Sequence, residues 1–234
     1  HQVQAAEREA EIHRLRNVEL AQAYAELTAL NASLRDANEQ KSRLLSQLER
    51  QTYEDALTGL ANRRYLDLRL EEEFQRARRH HRSLAVAIAD LDHFKRVNDS
   101  YSHAVGDEVL RALARILREQ VRHTDLVARY GGDELTLIMR DSGVEETKAV
   151  TQKIVDLMAD FLFSISTPNN TYQIRLGITA GIAIYPIHSQ TAGDLLRAAD
   201  TALYQAKKRN RGSYMLASGA TGRLSAITVN HPRD

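Results

Sequence analysis

Two short acidic stretches carry most of the chemistry this sequence could perform. Asp90-Leu91-Asp92 closes the apolar run at 84–89 (LAVAIA). Asp133-Glu134 follows Gly131-Gly132, between two runs of strand-forming residues. A carboxylate at the end of a buried strand is placed to hold a hard cation at a sheet edge. Glycines at a hairpin tip permit positive φ and let a ligand approach the backbone. If the strand ending at Asp90 lies beside that hairpin, Asp90 and Asp133 converge. The layout is then that of a two-metal phosphoryl-transfer site. The plainer alternative has Asp90 capping the next helix and Asp133-Glu134 as solvated turn residues. The basic run at 76–82 (RARRHHR) could hold phosphate, although a solvated helix end is the simpler reading.

The elements that must position these residues follow from hydrophobic periodicity. Residues 84–89 read as a buried strand ending at Asp90. Residues 103–122 read as an amphipathic helix through Val109, Leu110, Leu113, Ile116 and Leu117. Residues 126–130 and 134–139 read as two strands joined by the Gly-Gly turn. A second long helix is expected over 144–163, a polar loop containing Pro168 over 164–170, and one strand or two over 172–185. A helix over 191–209 and a short strand at 214–216 follow. Strands interleaved with helices, plus one hairpin, give an α/β architecture with helices packed on a mixed sheet.

The first 52 residues have a different texture. They contain no Gly and no Pro and are rich in Ala, Leu, Glu, Gln and Arg, all good helix formers. Leu20, Leu27, Leu34 and Leu48 repeat every seven residues, with Lys41 in the remaining slot. That spacing predicts a coiled coil at 1–52, a rod of ~60 Å over some 40 residues. The alternative is one amphipathic helix packed on its own domain. The companion seam is ambiguous between Ala23, Leu30, Ala37, Leu44 and Tyr24, Asn31, Asn38, Leu45. A folded domain is expected over 53–216 and a loose tail over 217–234.

Composition excludes several classes. The net charge is +1, which gives no electrostatic reason to expect nucleic acid or an anionic membrane surface as partner. Cysteine is absent, so disulfides, zinc–thiolate sites, iron–sulfur clusters and a Cys nucleophile are ruled out. No apolar run reaches the ~20 residues of a membrane helix, and no signal peptide is visible. No Walker A motif, Ser-His-Asp pattern or H-E-x-x-H pattern occurs. The chain opens on His1 rather than Met and reads as part of something longer.

Five segments together resemble one known family. Arg129-Tyr130-Gly131-Gly132-Asp133-Glu134-Leu135 looks like the signature of the GGDEF domains, the diguanylate cyclases. The stretches at 55–64 (DALTGLANRR), 90–99 (DLDHFKRVND), 106–110 (GDEVL) and 199–207 (ADTALYQAK) match the family's other motifs, in the family's order. The resemblance covers residues 53–212. It implies a palm-like sheet of the nucleotidyl-cyclase type and condensation of two GTP into cyclic di-GMP with loss of pyrophosphate. Each domain would hold one GTP, and two domains would meet face to face in a homodimer joined by the coiled coil. It also implies a bacterial, cytoplasmic protein with a sensor upstream.

Carried over position by position, the resemblance implies that Asp90 and Asp133 bind Mg²⁺, or Mn²⁺ in its place, two per GTP, with the Leu91 carbonyl assisting. Glu134 joins the second metal or helps deprotonate the attacking hydroxyl. Phe94 and Lys95 lie on the phosphate loop, with Gly131 and Gly132 against the substrate. Lys207 and Arg211 neutralise phosphate charge. Asn98 and Asp107 read guanine, whose N1–H and N2–H suit a carboxylate acceptor. Arg122 and Asp125 form an R-x-x-D element at the offset of the family's inhibitory product site, with Lys153 as the counterpart of a supporting family arginine. Alone, R-x-x-D is a common accident, and Arg122 could merely close a helix.

Three departures bear on loop geometry. Leu135 stands where Phe is usual and should face the sheet interior. Ser102 replaces a usual Gly. Asn210 and Gly212 are exchanged relative to a Gly-Arg-Asn ending. Competing readings are a degenerate domain that only senses cyclic di-GMP, an enzyme making a mixed purine dinucleotide, and a dimerisation fragment. Intact Asp90, Asp133, Glu134, Lys207 and Arg211 argue against the first, Asp107 against the second and the acidic site against the third.

Overall fold

The computed structural model describes residues 2–168 and 170–219. The chain divides into two compact units, the first running to Arg50 and the second beginning at Gln51. The first is almost wholly α1 (Gln2–Tyr53), a single helix of 52 residues. Nothing in its sequence breaks a helix, which is why it runs so long. Leu20, Leu27, Leu30 and Leu34 are more than half exposed on it.

In the second unit the elements run β1 (Ala61–Asn62), α2 (Arg63–His80), β2 (Leu84–Leu91), α3 (Phe94–Ser100), α4 (His103–Gln120), β3 (Leu126–Gly131), β4 (Glu134–Arg140), α5 (Val144–Asp160), β5 (Leu162–Ser166), β6 (Thr171–Arg175), β7 (Ile178–Tyr185), α6 (Ala192–Arg209) and β8 (Tyr214–Leu216). Six strands form one mixed sheet in the order β1-β3-β4-β2-β7-β8, and β5-β6 form a separate hairpin. β2 lies at the centre, antiparallel to β4 and to β7. This is the expected α/β layout: a mixed sheet flanked by helices.

Alternation along β2 sorts its residues between two cores. Ala85, Ala87, Ala89 and Leu91 pack with the side chains of α3, α4 and α5. Leu84, Val86 and Ile88 pack with those of α2 and α6. Asp90 and Asp92 continue this second row, so the strand aims both carboxylates toward the face that α6 covers. Leu135 is buried among the first core, where the hydrophobe expected there belongs.

Helix α6 comes nearest the sheet backbone at Gly181. A Cβ on Gly181 of β7 would lie 2.1 Å from both the Ala199 carbonyl oxygen and the Leu203 nitrogen. Only a residue without a side chain lets the helix lie this close. Lys207 is one turn beyond Leu203, so this contact sets its height above the sheet.

Several expectations need correction. The helix expected over 144–163 stops at Asp160, and 162–166 form a strand. Its alternation was visible: Phe163 and Ile165 are buried, while Leu162, Ser164 and Ser166 are exposed. The polar loop expected over 164–170 shrinks to the turn after Ser166, closed by Thr167 N–H donating to the Asn170 carbonyl at 2.7 Å. Of the two readings open for 172–185, one strand or two, the structure has two, in different sheets and broken at Leu176-Gly177. Helix α2 is anticipated only at its end, the run at 76–82, because charge dominates the rest. Its core stripe is Leu66, Leu70, Phe74 and Ala77, and Asn62 caps it by accepting from Tyr65 N–H at 3.0 Å. The RARRHHR run ends this helix, with His81 as its left-handed C-cap. The tail expected over 217–234 falls, from residue 220 on, outside the described residues.

Candidate active site

The register of the central strands brings the two acidic stretches together. Asp90 on β2 pairs directly with Glu134 on β4, and Asp133 is the last residue of the turn before β4. Of the two turn glycines only Gly132 has positive φ, at 53°. Lys207, in the last turn of α6, places Nζ 2.7 Å from Asp90 Oδ2.

These groups share one electrostatic field. Burial pushes the Asp90 carboxyl above the usual range; the Lys207 hydrogen bond opposes this, and the charge of Asp133 adds to it. Burial also raises Glu134, reinforced by the negative charge of Asp90 and opposed by Lys207, with Asp200 and Asp133 adding smaller upward pushes. Among the described residues, no three Asp, Glu or His side chains already enclose one point as a metal cage would. The donor chemistry nevertheless fits a hard divalent cation. The donors are carboxylate oxygens, and their mutual repulsion is what such a cation relieves.

The other site residues fall around this edge. Phe94 opens α3 with its side chain buried in the core, so only its backbone remains for a phosphate; Lys95 is exposed. Asn98 on α3 packs against Gly106 on α4, where a Cβ would lie 2.0 Å from Asn98 Oδ1. Asp107 follows immediately, so the contact brings Asn98 and Asp107 to one place. Ser102 caps α4, its Oγ accepting from Val105 N–H at 3.3 Å, which gives the departure from Gly a structural use. Arg211 Nη1 is 3.4 Å from Asp92 Oδ1.

One pairing beside the site has no local signal in the sequence. Arg129 Nη1 bonds both oxygens of Asp55, at 3.1 and 3.2 Å, while its Nε donates to the Gly132 carbonyl at 2.9 Å. Both residues sat in quoted motifs, but 74 positions of separation hid the pairing.

Residues 52–213 match the family described as diguanylate cyclase, GGDEF domain. The chain belongs to the GGDEF family. Diguanylate cyclase TpbB of Pseudomonas aeruginosa is 38% identical over 194 residues, 82% of this chain and 42% of that protein. The probable diguanylate cyclase DgcC of Escherichia coli K12 is 39% identical over 166 residues, 70% of this chain and 43% of that protein. The chain thus spans about two-fifths of the length of these relatives. Among solved structures, the TpbB GGDEF domain superposes with a TM-score of 0.68 at 37% identity, covering 71% of this chain and 95% of that one. The coiled coil and GGDEF domain of DgcB from Caulobacter crescentus, in complex with c-di-GMP, gives 0.70 at 26% identity, covering 80% and 99%.

In this GGDEF domain Arg122 and Asp125 close a turn between α4 and β3. Asp125 Oδ2 accepts from the Arg122 backbone N–H at 3.1 Å, and Oδ1 from the Arg140 N–H at 3.2 Å. Burial raises its pKa against those stabilising contacts. Both carboxylate oxygens therefore already serve the fold. A cavity of about 190 Å³ beside them is lined by residues including Val121, Arg122, Met139 and Glu146. Lys153 does not line it and is exposed on α5. No helix among the described residues is long and apolar enough to cross a membrane.

Proposed function

We propose that this chain is a diguanylate cyclase that joins two GTP molecules into cyclic di-GMP with release of two pyrophosphates. The observation that carries the reading is the catalytic edge itself: Asp90 opposite Glu134, Asp133 on the adjoining turn, and Lys207 on Asp90. Asp90, Asp133 and Glu134, with the Leu91 carbonyl, are the groups that would hold Mg²⁺ or Mn²⁺, two ions per GTP. Such ions neutralise the triphosphate and acidify a bound hydroxyl.

The chain's own residues supply the rest. Asn98 and Asp107 hold the guanine edge, with the carboxylate accepting from N1–H and N2–H. The turn at Gly131-Gly132 leaves the backbone open to the substrate. Lys207 and Arg211 stand against the phosphates, where a fixed cation stabilises charge building on the leaving pyrophosphate. Glu134 either joins the second ion or takes the proton of the attacking 3′-hydroxyl. One domain holds one GTP. Each hydroxyl attacks the α-phosphorus held opposite, so two domains must face each other. The exposed leucines of α1 are the groups proposed to join two copies as a coiled coil.

The exposed Arg122 side chain, beside its cavity, is proposed to take the product and slow the enzyme. Incubation with GTP and Mg²⁺, followed by mass analysis, tests the central claim. A product with the mass of cyclic di-GMP is expected; unreacted GTP from a folded, dimeric protein overturns it.

A further inference from the structure

The second acid of the Asp90-Leu91-Asp92 stretch is buried like the first, but its carboxylate is already committed. Asp92 Oδ1 accepts from Thr179 Oγ1 at 2.7 Å, and Oδ2 accepts from Gly212 N–H at 2.8 Å. Gly212 N–H also lies 3.0 Å from Thr179 Oγ1, which closes a three-membered knot. Asp92 N–H donates to the Gly177 carbonyl at 2.9 Å. One residue later the chain joins the sheet, through Ala180 N–H donating to the Ser213 carbonyl at 2.9 Å. Gly212 holds φ 68°, a conformation in which Gly and Asn are the least strained residues. This explains why the exchanged Asn-Arg-Gly order is tolerated at the end of α6.

The knot fastens the exit of α6 to the sheet edge that carries Asp90. Arg211 lies inside it, one residue before Gly212 and 3.4 Å from Asp92 Oδ1. Its guanidinium is about half exposed, so an unfastened loop would let it swing through solvent. We propose that Asp92 is a positioning residue for the cyclase reaction, not a metal ligand: it locks the 211–213 loop so that Arg211 meets the triphosphate in a fixed direction. A buried carboxylate fits this task because it accepts from a hydroxyl and a backbone amide while facing the cation it aims. This assignment rests on the proposed role of Arg211 as a phosphate contact.

The test is a double-mutant cycle on the full chain, reading initial rates at varied GTP and varied Mg²⁺, and GTP affinity by calorimetry. Asp92→Asn, Arg211→Ala and the double variant are compared. Asp92→Asn is expected to raise the GTP KM and weaken GTP affinity by about tenfold, leaving the Mg²⁺ concentration for half-maximal rate unmoved. In the Arg211→Ala background the same change is expected to add less than about twofold. Thr179→Val, which removes one anchor and leaves the carboxylate, is expected to give a smaller loss that also vanishes in that background. Thr179→Ser is expected to behave as wild type.

A residue that only supports the fold would lower activity equally in both backgrounds, and that result overturns the proposal. A raised Mg²⁺ requirement in Asp92→Asn makes the residue a metal ligand and overturns it too. If Asp92→Asn does not fold, the Thr179→Val cycle decides. If wild type yields no cyclic dinucleotide, the cyclase reading fails, while the calorimetric cycle still decides whether Asp92 acts through Arg211.

Discussion

Arg129 joins Asp55 to the turn that carries Asp133. Its guanidinium bonds both Asp55 oxygens and also the Gly132 carbonyl, so one side chain spans the start of the domain and the β3–β4 hairpin. Asp55 in turn accepts from Thr58 N–H at 2.9 Å and Thr58 Oγ1 at 2.7 Å. Burial acts to raise its pKa, but the Thr58 hydrogen bonds and Arg129 outweigh it, and the net shift is downward from 3.8. A depressed carboxyl contributes stability above its unfolded value and loses it as pH falls through the folded one. Asp55→Asn should therefore melt below wild type by a constant margin from pH 7 to about pH 5, and the margin should close below about pH 4. Thermal melts across that range check this; a margin that grows on acidification contradicts it. Arg129→Lys, which keeps the charge and loses the fork, should lower turnover about tenfold at saturating GTP.

Gly181 gives the second prediction. Gly181→Ala sets a methyl group 2.1 Å from the backbone of α6 at Ala199 and Leu203, and two backbones cannot yield as a side-chain tip can. The variant should lose about 1–3 kcal/mol or more in denaturant unfolding, as overpacked sites do. Because Lys207 rides on the displaced helix, cyclic di-GMP synthesis should fall further than the folded fraction does. Activity that simply tracks the folded fraction would separate the helix contact from Lys207.

How much of this was legible beforehand depended on the range of the signal. Strand β2, the hairpin and helix α6 announce themselves through local period and turn residues; the spacing of the acidic stretches points to Asp90 and Asp133, and the family resemblance to Lys207. The β5–β6 hairpin was hidden because Phe161 and Phe163 extend the apolar pattern of α5, so the change of period at residue 162 passed for a helix end. Asp92, Thr179 and Gly212 could not be joined by pattern at all. Their bonds span 87 and 120 positions, and only the β2–β7 register and the return of the chain after α6 bring them together. Asn98 and Asp107 are named through the family resemblance; what no local pattern shows is that Gly106, by lacking a side chain, makes room for Asn98.

The acidic edge should trade stability for function. Asp90 and Glu134 are raised by burial and by neighbouring negative charge. A carboxyl raised in this way costs stability as pH rises through its unfolded and then its folded value. Glu134→Gln and Asp133→Asn each remove one of the repelling charges. Both should melt higher than wild type in chelator at pH 7, gain less from added Mg²⁺, and make no cyclic di-GMP. Full turnover in either variant at ordinary Mg²⁺ would remove these residues from the catalytic set.

The turn at 122–125 separates two effects that a single alanine would confuse. Asp125 holds the backbone N–H groups of Arg122 and Arg140, so Asp125→Ala should cost about 1–3 kcal/mol by orphaning them. Arg122→Ala leaves those bonds in place, since one comes from its own backbone N–H and the other from that of Arg140, and should leave the melting temperature within about 2 °C of wild type. Added cyclic di-GMP should inhibit wild type and fail to inhibit Arg122→Ala. If wild type is indifferent to the product, the arginine has no inhibitory role here.

Helix α1 presents two seams of similar merit beside the leucines at 20, 27 and 34. Leu30 and Leu44 of one seam and Tyr24 and Leu45 of the other are all half exposed or more. The single chain therefore prefers neither. The first seam fills with Ala23, Leu30, Ala37 and Leu44. The second buries Asn31 and Asn38, which fix register in a parallel pair at a cost in stability. Changing from one to the other would rotate whatever follows the helix, and the proposed reaction calls for two domains held face to face. A bias of only a few kcal/mol is enough to shift such an equilibrium. Asn31→Leu with Asn38→Leu should favour the second seam, and Ala23→Leu with Ala37→Leu the first. Turnover of the two variants should move in opposite directions from wild type, with each shown to be dimeric by light scattering. Equal turnover in both would make the helix a passive tether, because two different registers would then serve the same chemistry.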